Sequence, residues 1–206
     1  MSTVQNAAFF GAAVLVDGLC AEQAIATPDG WIEAGLLEAG DPVLTFEGGE
    51  MPVAEVFRSE QAASVPRPFW PVWLPPGAMD NDAPAELLPG QMVMLESDLA
   101  EELHGEPFVL VPASALVGWN GIERRAPEAT EIVHLRFATP QLVFAGRSLL
   151  LGCGGTGALA ANLFQASGLI TLSAVEARQL VAGLIMEAER GRMLPGQAAF
   201  AGEYRL

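Results

Sequence analysis

Gly and Pro punctuate the first three quarters of this chain at intervals too short for long helices. Pro28-Asp29-Gly30, Ala39-Gly40-Asp41-Pro42, Glu47-Gly48-Gly49, Pro75-Pro76-Gly77, Pro89-Gly90 and Asn120-Gly121 are turn signals. Between them lie short apolar runs: Val43 to Phe46, Val53 to Phe57, Met92 to Leu95, Phe108 to Val111, Ile132 to Phe137 and Leu142 to Ala145. Runs of this length, bounded by turn residues, predict an all-β domain over about residues 1–150. In Ile132 to Phe137 the apolar residues alternate with His134 and Arg136, which predicts a half-buried strand with His134 on its polar face.

The tail reads differently. Ser173-Ala174-Val175-Glu176 fits a capping box, in which the Ser oxygen takes a backbone N–H and the Glu reaches back to the cap. Val175, Leu180, Leu184 and Ile185 then form an apolar stripe that ends near Arg190, before Gly191. The reading is one domain, 1–206, with a helical extension over about 157–191 and a short closing segment over 198–206. Ala7 to Val16 is too short to span a bilayer, has no preceding positive charge and lacks a clean cleavage site. It reads as an early buried strand of a soluble chain.

Composition narrows the chemistry. Among the 206 residues there is no Lys; all ten basic residues are Arg, against 25 Asp and Glu. A net charge of −15 argues against nucleic acid and against anionic membrane surfaces. The absence of Lys removes Schiff-base and P-loop chemistry. Two Cys and two His, spread along the chain, make neither a zinc site nor a disulfide framework. No metal or cofactor is implied. Catalysis, if any, falls to Cys20, Cys153, His104, His134, a hydroxyl or a carboxylate.

Three local patterns invite function. Gly152-Cys153-Gly154-Gly155-Thr156-Gly157 matches G-x-G-x-x-G after the strand-like Leu149-Leu150-Leu151. Gly152, Gly154 and Gly157 would then bind a nucleotide, although the surrounding βαβ series is missing and Glu176 falls inside the capping box. The bland reading is a Gly-rich turn between strand and helix. Val65 to Pro76 mixes Pro with Phe69, Trp70 and Trp73, and reads as an edge strand with Pro at its ends more readily than as a docking segment. Cys20 reads as a small buried hydrophobe, and His104 as part of a surface turn.

Longer stretches resemble a family. Ile25-Ala26-Thr27-Pro28-Asp29-Gly30, followed by Leu36 to Thr45, is similar to the opening of bacterial Hint domains, the hedgehog/intein autoprocessing modules. Pro71 to Met79, Gly105 to Ala113 with Leu116-Val117, Val133 to Phe137, Val143 to Ala145 and the closing Ala198 to Leu206 resemble later segments of that family in order. The resemblance implies a compact, pseudo-symmetric β horseshoe. It also implies a Cys or Ser nucleophile in the first motif, a His in the second, and an Asp-x-His pair in a late strand.

This chain departs from that pattern. Aligned without a gap, the nucleophile position falls on Gly18, and Cys20 reaches it only if two residues are deleted. The second motif reads Leu88-Pro89-Gly90-Gln91-Met92, with Gln91 in the place of the His. The Asp-x-His pair reads Ala138-Thr139-Pro140. An amide, a Pro and aliphatic side chains do not transfer protons at neutral pH. The resemblance therefore implies a degenerate, non-catalytic module with a structural or protein-interaction role, its protein partner unspecified and a homo-oligomer compatible with it. Two alternatives stand beside it: nucleotide binding at Gly152 to Gly157, and an active module cutting before Cys20 with Gln91 and His134 at hand. By the same resemblance Cys20 and Cys153 are expected near one another at the relic of the active site.

Overall fold

The computed structural model describes residues 7–9, 12–14, 17–62, 64–128, 130–146, 148–155 and 169–193. Within them the chain is mostly β. β1 (Ala7–Phe9) and β2 (Ala12–Val14) pair with each other, so the N-terminal run is a short hairpin and not the single strand its sequence suggests. β3 (Leu19–Cys20) precedes the hairpin of β4 (Ala24–Thr27) and β5 (Gly30–Glu33). Gly30 adopts φ +124°, a conformation that L side chains rarely take, which explains the Asp-Gly signal at that turn. β6 (Pro42–Thr45) and β7 (Gly49–Pro52) form the next hairpin, and β8 (Glu55–Glu60) follows.

The Pro-rich aromatic segment folds as a 3-10 turn over Arg67–Phe69 and then β9 (Val72–Leu74). β9 is the middle strand of a three-stranded sheet, between β10 (Ala85–Leu87) and β13 (Glu123–Arg124). The edge-strand expectation is corrected here. Pro71 and Pro75 lie just outside the strand, so Val72, Trp73 and Leu74 keep their N–H groups for both neighbours.

β11 (Met92–Glu96) leads into a helix absent from the sequence reading, α1 (Asp98–His104), and then into β12 (Phe108–Pro112). Ser97 caps α1 by accepting from the N–H groups of Leu99 and Ala100, and Gly105 ends it at φ +82°. His104 is thus the last residue of a helix and not part of a free turn.

β14 (Glu131–Phe137), β15 (Gln141–Ala145) and β16 (Leu149–Gly155) complete the large sheet, with β17 (Ile170–Thr171) pairing parallel to β12. β14 organises the region that matters most below. One of its edges takes β8 over six paired residues; the other takes β3 at Ile132 and Val133 and β16, in parallel, at Arg136 and Phe137.

α2 (Ala174–Met193) packs on β12 and α1. Its capping box forms: the Ser173 N–H donates to Glu176 Oε2 at 2.8 Å, and the Glu176 N–H donates to Ser173 Oγ at 3.3 Å. Ala177, Leu180 and Val181 are its buried face. These residues join Leu19, Val93, Val111, Leu135, Phe137 and Leu151 in one main core, so α2 and the sheet share a single interior. Burying each large apolar side chain contributes about 1.5–3 kcal/mol. Residues 157–168 of the expected helical extension and the closing segment 198–206 lie outside the described residues. No described helix is long and apolar enough to cross a membrane.

Candidate functional site

Gly18 enters β3 with φ +115°, a backbone conformation open to glycine and costly for other residues. A Cβ added there would stand 2.5 Å from Ile132 Cγ2, 3.0 Å from His134 Cε1 and 3.2 Å from His134 Nδ1. β3 pairs with Ile132 and Val133, and this register is what carries Gly18 past the imidazole two residues along β14.

The third member comes from the turn before β11. Gln91 is buried, and its carboxamide is spent on three bonds. Its Oε1 accepts from the Gly18 N–H at 3.1 Å, and its Nε2 donates to the Gly152 carbonyl at 2.8 Å and to the Met92 carbonyl at 3.2 Å. Gln91 therefore ties the start of β3 to β11 and β16. Gly18, Gln91 and His134, three positions far apart in sequence, meet at one point.

His134 is half-buried. Burial holds its pKa below the ordinary value of 6.5, the Asp17 carboxylate pulls it back up, and Arg136 adds to the depression. Asp17 is the residue that sequence reasoning missed. Its only signal was its place directly before Gly18.

Cys20 does not join this cluster through its thiol. Its Sγ lies 3.5 Å from the carbonyl oxygen of Glu86, to which it donates, and packs beside Leu88 and Ile132. Burial first, then the carboxylates of Glu86 and Glu22, push its pKa from 9.0 up to about 12. The thiol lies on the wall of an open cleft of about 440 Å³ shared with Glu22, Pro84, Glu86, Glu128 and Thr130. Glu86 itself is raised by burial and by Glu128, with Arg125 opposing.

Cys153 is buried in the main core, opposite Gln141, and burial pushes its pKa up to about 12 as well. Both cysteines are free thiols, and they pack in different clusters. Gly152 and Gly154 lie inside β16, where Gly154 pairs with Arg136 and the Gly152 carbonyl is taken by Gln91. The described part of the glycine motif is thus extended strand and not a strand-to-helix turn. Gly157 lies outside the described residues. His104 ends α1, which packs on α2.

β3 laid against β14, with the turn before β11 bonded to the residue that enters β3, gathers Gly18, Gln91 and His134 at one place. The sequence profile described as the Hint domain matches residues 18–149, and the chain belongs to that family. Among solved structures, it is similar to a bacterial intein-like domain from Clostridium thermocellum, with 16% identity over 66% of this chain and 97% of that one and a TM-score of 0.44. The gp41-1 intein is 15% identical over 65% of this chain and 98% of its own, with a TM-score of 0.42. The MchDnaB-1 intein is 16% identical over 64% and 98%, with a TM-score of 0.36. No curated protein sequence matches the chain.

Proposed function

We propose that this Hint-type module has kept its fold and lost self-cleavage, and that it serves a structural or protein-interaction role. The observation that carries this reading is the Gly18 N–H held by Gln91 with His134 alongside. An acyl shift needs a thiol or hydroxyl to attack the preceding carbonyl. Gly18 offers a hydrogen atom there. Gln91 accepts a hydrogen bond from the Gly18 N–H, and a carboxamide does not exchange protons as an acid or base at neutral pH. His134 has an imidazole in place and no nucleophile to activate.

Cys20 is the one thiol close in sequence. With its pKa near 12 it stays protonated at neutral pH, among carboxylates that oppose its ionisation. Attack on the Leu19 carbonyl needs the thiolate, and the Sγ–H is instead held in a hydrogen bond to the Glu86 carbonyl oxygen while the Glu86 and Glu22 carboxylates disfavour its loss of a proton.

The test is release of a folded reporter fused upstream of Met1, with thiol or hydroxylamine added to intercept a thioester. The reporter is expected to remain attached. Release that disappears in Cys20→Ala would establish an active module instead.

A further inference from the structure

β8 is the longest edge strand among the described residues. It pairs with β14 along one side and with no described strand along the other. The bonding pattern fixes which of its backbone groups are left over. The Gln61 N–H donates to the Thr130 carbonyl at 2.9 Å, in register with the Ser59–Ile132 and Phe57–His134 pairs. Every second residue from Gln61 back to Glu55 therefore bonds to β14, and Val56, Arg58 and Glu60 turn their N–H and C=O groups outward. β14 agrees with this phase: on its other side the Glu131 carbonyl accepts from the Ala21 N–H.

Open edges are commonly guarded by Lys, by Pro, by a bulge or by an inward-pointing charge. The chain has no Lys, and β8 holds no Pro. The one cation of the strand is turned back: Arg58 Nη2 donates to the Leu37 carbonyl at 2.8 Å and to the Gly35 carbonyl at 3.1 Å. Phe57 stands opposite His134 with the Arg136 guanidinium 4.9 Å from its ring centroid, and is still 46% exposed. A large aromatic ring is thus left in water beside unpaired backbone donors and acceptors. Glu55 and Glu60 are the charges that remain, and alignment decides whether they repel a second strand.

The sequence of β8 selects the partner. Two copies laid antiparallel can bond only where the outward set Val56, Arg58 and Glu60 meets its own kind, which leaves few registers. Centred on Arg58, two arginines oppose each other. Centred on Ser59, Phe57 meets Gln61, which is buried, and Arg58 meets Glu60 with its guanidinium already spent. Centred on Val56, Phe57 meets Glu55. Centred on Phe57, the two rings oppose each other, Val56 meets Arg58, Glu55 meets Ser59, Glu60 meets Ala54, and no like charges face. That central pair is of the non-hydrogen-bonded kind, with Cα atoms about 4.5 Å apart, where aromatic side chains pack best.

We infer that β8 pairs with β8 of a second copy of this chain, antiparallel and centred on Phe57, joining two sheets edge to edge. This names a partner for the interaction role proposed above and rests on that reading. The paired stretch, Ala54 to Glu60, is short beside a standard interface of about 1,600 Å². Each copy also carries a net charge of −15. A weak dimer is therefore expected, with a dissociation constant on the order of 10–100 μM at physiological salt, and weaker at low salt where the repulsion is less screened.

The experiment is analytical ultracentrifugation of the full chain across that concentration range. The mass is expected to rise towards twice that of the chain, and to rise more readily as salt is added. Phe57→Glu sets a carboxylate beside Arg136 in the single copy and two carboxylates face to face in the pair, and should weaken association at least tenfold. Trp31→Glu, on the exposed edge strand β5, should leave it unchanged. Cysteine cross-linking reads the register independently: under mild oxidation Phe57→Cys should form a disulfide-linked dimer beyond the level of the parent, and Ser59→Cys should not. Denatured mass of the same samples reports chain integrity, so a failure to associate and a chain that cuts itself are read separately. A single mass at every concentration, association of Phe57→Glu equal to that of the parent, or cross-linking at position 59 in place of 57 would overturn the pairing.

Discussion

The backbone N–H of Gly18 is held by the side-chain oxygen of Gln91 across 73 positions of chain, at 3.1 Å. By the proposed reading those two places are where resemblance to the family puts a nucleophile and a proton-transferring His. Here the pair is a hydrogen-bonded brace. The same carboxamide reaches the Gly152 and Met92 carbonyls, so this point is a junction of three strands.

Removing that brace should be costly. Gln91→Leu keeps the volume and leaves the Gly18 N–H and two carbonyls without their partner in a buried place. A loss of about 2–4 kcal/mol is expected in urea unfolding followed by Trp fluorescence. The exposed helix substitution Gln179→Leu should stay within about 0.5 kcal/mol of the parent. A Gln91→Leu protein as stable as the parent would show that the brace carries no weight.

Gly18→Ala tests the closeness of the imidazole strand. Two penalties combine: φ +115°, and a Cβ 2.5 Å from Ile132 Cγ2, an atom on a stiff β-branched side chain that is fully buried. Gly40→Ala isolates the first penalty, because Gly40 has φ +99° with nothing within 4 Å of its Cβ. Gly40→Ala should cost about 1–2 kcal/mol, and Gly18→Ala a further 1–3 kcal/mol from overpacking. Equal costs in chemical denaturation would mean that β3 gives way to the added methyl group.

The thiols and the imidazole set opposite pH limits. Cys20 and Cys153 are raised from 9.0 to about 12, so the folded state holds their protons more tightly than the unfolded chain. Their contribution is full below about pH 9 and is lost as pH rises towards 12. Iodoacetamide labelling of the native protein at pH 7 should be far slower than that of the unfolded chain, and should quicken above pH 9. His134 is depressed below 6.5 by burial. The unfolded chain protonates first, so its contribution is full above 6.5 and is lost as pH falls through the folded value. An imidazole NMR titration midpoint for His134 above 6.5 would contradict that sign.

Much of the fold was legible because turn chemistry is local. The Asp-Gly turn at Gly30 and the Ser173–Glu176 capping box need only neighbours in sequence, and both form as read. α1 escaped because seven residues are too few to display a helical period, and its Ser97 cap lacks the Glu three places on. The glycines of Gly152 to Gly155 look like a turn locally, yet pairing with β14 and β15 draws them into strand. For the site, family resemblance drew attention to Gly18 and Gln91. That they bond to one another depends on a register between distant strands, which no local pattern encodes.

With Gly18 facing His134 and a protonated Cys20, this centre is expected not to cut its own chain. Intact mass of the purified 206-residue chain, followed for days at neutral pH with and without added thiol, measures this directly. One species at the full mass is expected throughout, because Gly18 brings no nucleophile to His134 and Cys20 remains a protonated thiol. A fragment beginning at Cys20, growing with time and absent in Cys20→Ala, would contradict it.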